Sequence, residues 1–129
     1  MKINRGREQG RPSEHRGPTF TGSVWADPVL ADAEGGVNVG SVFFEPRSRT
    51  FWHSHGNGQI LHVTHGHGRV RARDGSGGTL AAGDVVYSPA GEEHWHGAGP
   101  DSYLLHHAIS LGPTTWLEEV TDEDYNKGF

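Results

Sequence analysis

Read for alternation of apolar and polar positions, the chain divides into short extended segments separated by Gly, Pro and Asp. Val37–Glu45 (VNVGSVFFE) is the clearest of them. Successive strand side chains point to opposite faces, so Gly40, Val42 and Phe44 share one face, Val39, Ser41 and Phe43 share the other, and Pro46 ends the run. Thr19–Leu30 alternates more weakly, and Pro28, with no N–H to give to a ladder, predicts an edge strand. Gln59, Leu61, Val63 and His65 are of one parity and Ile60, His62 and Thr64 of the other; His62 is expected on an outer face or a subunit contact. Gly66 and Gly68 predict a turn that carries His65 and His67. Arg69–Arg73 alternates Arg with Val and Ala, which reads as a strand with one solvated face, and Asp74–Gly78 (DGSGG) as a hairpin turn. Pro89 and Gly91 mark a turn into a strand bearing His94 and His96, Gly97–Asp101 turns again, and Ser102–Ser110 is the last clear strand. Trp116–Tyr125 reads as a short helix or an extended tail; Thr121 ahead of Asp124 is a capping pattern that favours a helical turn, with Trp116 and Leu117 covering the end of the fold. Residues 1–18 are polar, basic and broken by Gly and Pro, a flexible tail or an arm that pairs with a partner subunit, with His15 solvated; 19–129 is then the folded domain.

Composition narrows the class. A chain of 129 residues suits one domain with its own core, and 20 glycines with 7 prolines suit many short strands better than helices. No cysteine is present, so disulfides and thiolate sites are excluded. A net charge of −5 weighs against a nucleic-acid surface. No apolar run reaches the ~20 residues of a membrane helix, and the N-terminus lacks the apolar core of a signal peptide. The expectation is a soluble cytoplasmic protein.

The candidate chemistry lies in histidine. On an extended segment His53, His55 and Gln59 point the same way, and His94 with His96 form a second pair of equal parity. Several imidazoles and an amide buried without partners would cost several kcal/mol; a divalent transition cation held by His53, His55, Gln59 and His94 removes that cost. Neutral imidazole suits Zn, Mn, Fe, Ni or Cu. Four protein ligands leave open positions for substrate. His96, beside His94 and expected to titrate near neutral pH, is the natural general base. His106 and His107 face opposite ways, and one of them at most reaches the interior as its partner.

The order His53-x-His55-x3-Gln59-x6-Gly66, followed by Gly83-x5-Pro89-x-Gly91-x2-His94, resembles the two signature motifs of the cupin superfamily. Arg47 stands where the first motif usually opens with Gly, Ala98 where the second usually closes with Asn, and Gln59 where a carboxylate is usual. The runs TGSVWADP, FEPRSRTFWHSHGNGQ, PAGEEHWHGAGP and WLEEVTDEDY further resemble the small single-domain bacterial cupins that include the manganese-dependent hydroxynitrile lyases. That resemblance implies an all-β fold, a single-domain jelly-roll barrel of antiparallel double-sheet form. It implies one metal per chain on His53, His55, Gln59 and His94, manganese first and Fe, Zn or Ni next, with His96 and His106 as acid–base residues. It also implies that Gly40 and Val42 face inward, with Val42, Phe44 and Ser110 walling a pocket for a small or aromatic substrate, and a homodimer or homotetramer without nucleic-acid or membrane partners. The implied reaction is reversible cyanohydrin cleavage to an aldehyde and cyanide. An iron-dependent dioxygenase and a non-catalytic small-ligand-binding protein are the alternatives.

Overall fold

The computed structural model describes residues 1–5 and 10–129, and there the alternation of the sequence becomes an antiparallel jelly-roll barrel. Its elements are β1 (Glu14–Arg16), β2 (Phe20–Thr21), β3 (Val24–Asp32), β4 (Val37–Phe44), β5 (Arg49–Thr50), β6 (His53–His55), β7 (Gln59–Ala72), β8 (Gly77–Ala81), β9 (Val85–Ser88), β10 (His94–Ala98), β11 (Leu104–Leu111), β12 (Thr114–Trp116) and α1 (Asp122–Asn126). One sheet runs β1-β3-β4-β11-β7-β9, and the other runs β2-β5-β10-β7-β8 with β6 beside β10 and β12 beside β6. β7 belongs to both sheets and closes one side of the barrel between them.

That single strand replaces the turn expected at Gly66 and Gly68. Between Leu105 and His106 the β11–β7 register slips, so that Leu105 faces His65 while His106 faces Val63, and Thr64 is the extra residue. A bulge of this kind bends a strand and inverts its facing parity. Gln59, Leu61 and Val63 are therefore buried ahead of it, His65 is exposed instead of continuing their face, and Val70 and Ala72 resume the interior. Gly66, at φ 81°, sits at this bend, where a Cβ would collide with the Tyr103 carbonyl. Bulge and glycine together aim one strand into both sheets.

The N-terminal segment is not all tail. Glu14–Arg16 pairs with Val24–Ala26 of β3, while residues 6–9 lie outside the described residues. Pro28 lies past the end of β1 on the open side of β3, at a register shift between Pro28 and Leu30, which is how a residue without an N–H is accommodated. The apolar core splits in two: Val24, Phe44, Val63, Val70, Leu80, Ala98 and Leu104 form one cluster, and Trp52, Trp95 and Val120 form a second with Tyr125 of α1. Thr121 caps α1 by accepting from the Asp124 N–H at 3.1 Å, so the capping pattern does set a helical turn. The arginine face expected to be solvated is partly covered, Arg69 and Arg71 half-buried and Arg73 exposed. The guanidinium of Arg69 lies 4.6 Å from the rings of Tyr125 and Phe129, Arg71 lies 4.4 Å over Phe129, and Arg73 lies 3.9 Å over Trp52.

Candidate metal centre

Between the two sheets lies a cavity of about 530 Å3 walled by Val42, Phe44, Thr50, His53, His55, Gln59, His96, Ser110, Thr114 and Trp116 among others. Strand register brings its parts together. β10 sets His94 against His53, β11 sets His106 against Val42 and Val63, and Ser110 stands opposite Gln59. The structure thus places His53, His55, Gln59, His94, His96 and His106 in one buried group and Val42, Phe44 and Ser110 in the wall beside it. Of the adjacent pair His106 and His107, the first is fully buried and the second exposed, with His107 facing His62 on the outer surface at 6.2 Å between rings.

Hydrogen bonds at Nδ1 fix how the rings present themselves. His53 Nδ1 lies 2.9 Å from the Phe51 carbonyl and His94 Nδ1 lies 3.0 Å from the Glu92 carbonyl. A carbonyl only accepts, so each Nδ1 carries the proton and each Nε2 offers a lone pair. His55 Nδ1 lies 3.1 Å from Thr114 Oγ1, and its buried Nε2 has no partner among the described residues. Gln59 Nε2 donates to Ser110 Oγ at 3.0 Å, which turns Oε1 towards His94 Nε2 at 2.9 Å. Two acceptors at that distance, beside an orphaned imidazole nitrogen, lack a positive centre. Protonating His94 does not supply it, because burial lowers its pKa.

The other rings are held neutral as well. Desolvation, followed by the nearby His94, lowers the His53 pKa to about 3 and that of His55 to about 4. Burial also takes His106 to about 4 and, with His106 and His53 as neighbours, holds His96 well below 6.5. Burial therefore holds His96 neutral at neutral pH in the resting protein; it does not titrate there as its sequence position suggests. Neutral imidazoles with fixed Nδ1–H groups are the form that ligates a metal. Three buried imidazoles, His53, His94 and His96, bring their ligand nitrogens within 4.8 Å of one another and could hold a divalent transition cation; His55 and Gln59, buried beside them, add a nitrogen and an oxygen of the kind such a cation takes.

His96 belongs to the convergent group by distance, and the His55 ring lies 5.0 Å from that of His53. What separates His96 from the other rings is its Nδ1, 3.1 Å from His106 Nε2. The pair leaves His96 Nε2 and His106 Nδ1, both buried, without hydrogen-bond partners among the described residues. When His96 Nδ1 carries the proton and donates to His106 Nε2, His96 Nε2 presents a lone pair and is a base; in the opposite pair of tautomers His106 Nε2 donates and His96 Nε2 carries the proton.

Three contributors have no signal in the sequence. Thr114 reaches His55 from β12, Thr50 Oγ1 accepts the His96 backbone N–H at 3.2 Å, and Trp116 lies 4.7 Å from the His53 ring. Each acts across a long sequence separation on a strand too short to show alternation. Thr114→Val keeps the shape and removes the acceptor, and is expected to weaken metal retention by about tenfold in a chelator competition.

Residues 40–104 match the Cupin domain family. The chain is 40% identical to the (R)-mandelonitrile lyase of Granulicella tundricola over 98% of this chain and 100% of that protein. A cupin-like protein from Thermotoga maritima is 39% identical, with a TM-score of 0.80 over 98% of this chain and 94% of that one. The polyketide cyclase RemF from Streptomyces resistomycificus shares the fold at 16% identity, with a TM-score of 0.70 over 97% of this chain and 90% of that one.

Proposed function

Because this chain belongs to the cupin domain family, we propose that it is a metal-dependent lyase that cleaves a cyanohydrin to an aldehyde and hydrogen cyanide, and runs the reverse addition. The observation that carries this reading is the His96–His106 pair joined to the buried histidines His53 and His94, with His55 and Gln59 beside them. Similarity to a protein named for mandelonitrile supports the substrate type. Manganese is the proposed cation, on the resemblance to the manganese-dependent group, with Fe, Zn and Ni next. When bound, such a cation supplies Lewis-acid polarisation of the substrate oxygen, undiminished by any carboxylate in the proposed ligand set of His53, His55, Gln59 and His94.

The chain's own groups do the rest. His96, with its Nδ1–H donated to His106 Nε2, takes the cyanohydrin hydroxyl proton at Nε2. As the carbonyl forms, the C–CN bond breaks and its electron pair leaves with cyanide. His96 then returns the proton to cyanide, and hydrogen cyanide departs. While charged, His96 is stabilised by the neutral His106 ring. Phe44 and Trp116 offer apolar surface to a small or aromatic aldehyde.

The test is mandelonitrile cleavage by protein stripped and reloaded with Mn, Fe or Zn, with oxygen uptake followed in parallel. Benzaldehyde release without oxygen uptake supports the lyase; oxygen uptake with iron and no cleavage replaces it by a dioxygenase; tight ligand binding with neither leaves a binding protein. Among the described residues no helix is long and apolar enough to cross a membrane, and we place the protein in the cytoplasm.

A homodimer or homotetramer belongs to the same proposal. Across the outer face, Val39, Ile109, Ile60 and Tyr87 lie in one cross-strand row and Ser41, His107, His62 and Val85 in the next, none of them carboxylate, lysine or arginine. Val85 is 64% and Tyr87 66% exposed, a coherent apolar surface of the kind that copies bury against each other. Tyr87→Arg is expected to shift the protein to monomer in light-scattering chromatography without altering metal content.

A further inference from the structure

The cavity wall is uneven in charge. The chain carries 16 carboxylates against 11 Lys and Arg, yet no Asp or Glu lines the cavity among the described residues, and its one formal charge is Arg16. Register sets where that charge lies. Arg16 pairs with Val24 and Glu14 with Ala26, both buried inward residues, whereas His15 pairs with exposed Trp25, its tilted ring 4.6 Å away, and meets the cavity only beside Arg16 at its mouth. Arg16 therefore shares the inner face. Its side chain remains 42% exposed while His53 and His55 are buried, so it stands at the rim of the cavity and the imidazoles at its floor. Between them runs an aromatic wall: Phe20 lies 5.5 Å from Trp116, which lies 4.7 Å from His53.

We propose that Arg16 is a specificity-determining residue that selects substrates carrying a carboxylate at the end remote from the reacting carbon, so that the substrate class is an anionic aldehyde or its cyanohydrin. This rests on the lyase reading for the identity of the reacting end, and on the cavity alone for the charge. A guanidinium matches a carboxylate in shape and charge, and its planar fork orients what it holds. The ring of an aryl substrate would then lie along Phe20 and Trp116, with its carbonyl end towards His96. Among the described residues Arg16 has a competitor on the same face, the carboxylate of Glu14 at 3.7 Å, itself 51% exposed and at the length of a loose, solvated pair. A substrate carboxylate entering the rim displaces that contact.

The test compares 4-formylbenzoate with its neutral counterpart 4-formylbenzamide, by calorimetric binding to the manganese-loaded protein in the absence of cyanide. The wild-type protein is expected to prefer the anion, R16Q to lose about three- to tenfold of affinity for the anion alone, and E14Q to bind the anion more tightly by freeing Arg16. Added salt should weaken the anion and spare the amide. A preference for the anion that survives R16Q unchanged, or a loss that falls equally on both aldehydes, overturns the proposal. Binding is read without turnover, so a failed lyase assay leaves this result standing, and a failed charge preference leaves the lyase assay standing.

Discussion

His96→Ala lowers kcat/KM for mandelonitrile by about a thousandfold, the expected contribution of a positioned acid–base group, while metal content per chain stays at the wild-type level. Both halves matter. If His96 only helped to hold a cation, its loss would lower metal content and activity together; its Nδ1 is engaged by His106 at 3.1 Å, whereas the proposed ligands are His53, His55, Gln59 and His94. His106→Ala leaves His96 present but removes the ring that settles its tautomer and spreads its charge, so a smaller loss of about tenfold is expected. A variant His96→Ala that retains metal and full turnover removes the residue from the chemistry. A fall in metal matching the fall in rate makes it a ligand.

The metal-free protein is expected to lose stability steeply as pH falls below 6.5. The sign follows from where protons bind. In the unfolded chain each histidine titrates at its ordinary 6.5, whereas in the folded protein burial depresses His53 to about 3 and His106 to about 4. Between those limits the unfolded state binds more protons, so unfolding becomes easier with every step down in pH; above 6.5 neither state is protonated and the dependence vanishes. Each such group contributes about 1.4 kcal/mol per pH unit, and these two together about 3. His55, depressed to about 4, adds in the same direction, as do His94 and His96. Against a typical domain stability of about 5–15 kcal/mol, this brings the midpoint of acid unfolding to about pH 5. Urea unfolding of stripped protein at pH 7, 6 and 5 measures it. A flat profile from 7 to 5 would show that the imidazoles are not buried together as described. Added metal stabilises the folded form by mass action and should displace the acid limb downward until protons expel it.

How much of this was legible in the sequence depended on whether an interaction is local. Equal parity placed His53 and His55 on one face of β6, because the period of two is a property of the backbone itself; the single extended segment expected through Gln59 is instead broken by a turn at Gly56 and Asn57, and Gln59 reaches the same site from β7 through its register with Ser110. The Pro89–Gly91 turn and the Thr121 cap were readable for the same reason: their chemistry lies within a few residues. Parity failed at Thr64, where a single inserted residue inverts the face of everything after it, so that His65 emerged and the expected turn at Gly66 became a bend within β7. The extra residue is specified by β11, about 40 positions away in pairing terms, and leaves no mark in β7 beyond a glycine. Alternation also could not tell His106 from His107, since neighbours on a strand always face opposite ways; the register with Val42 and Val63 decides it. Arg69 and Arg71 read as solvated because their cover, Tyr125 and Phe129, comes from the far end of the chain. The neutrality of His96 was likewise invisible, being a consequence of the rings packed around it rather than of its neighbours in sequence.

Manganese titrated into stripped protein while benzaldehyde release from mandelonitrile is followed tests the whole account in one measurement. The proposed ligand set and the histidine pair together predict no cleavage without metal, then a rise that breaks at one equivalent per chain. Cleavage by the stripped protein at the same rate, or no cleavage at one equivalent of bound metal, would contradict it.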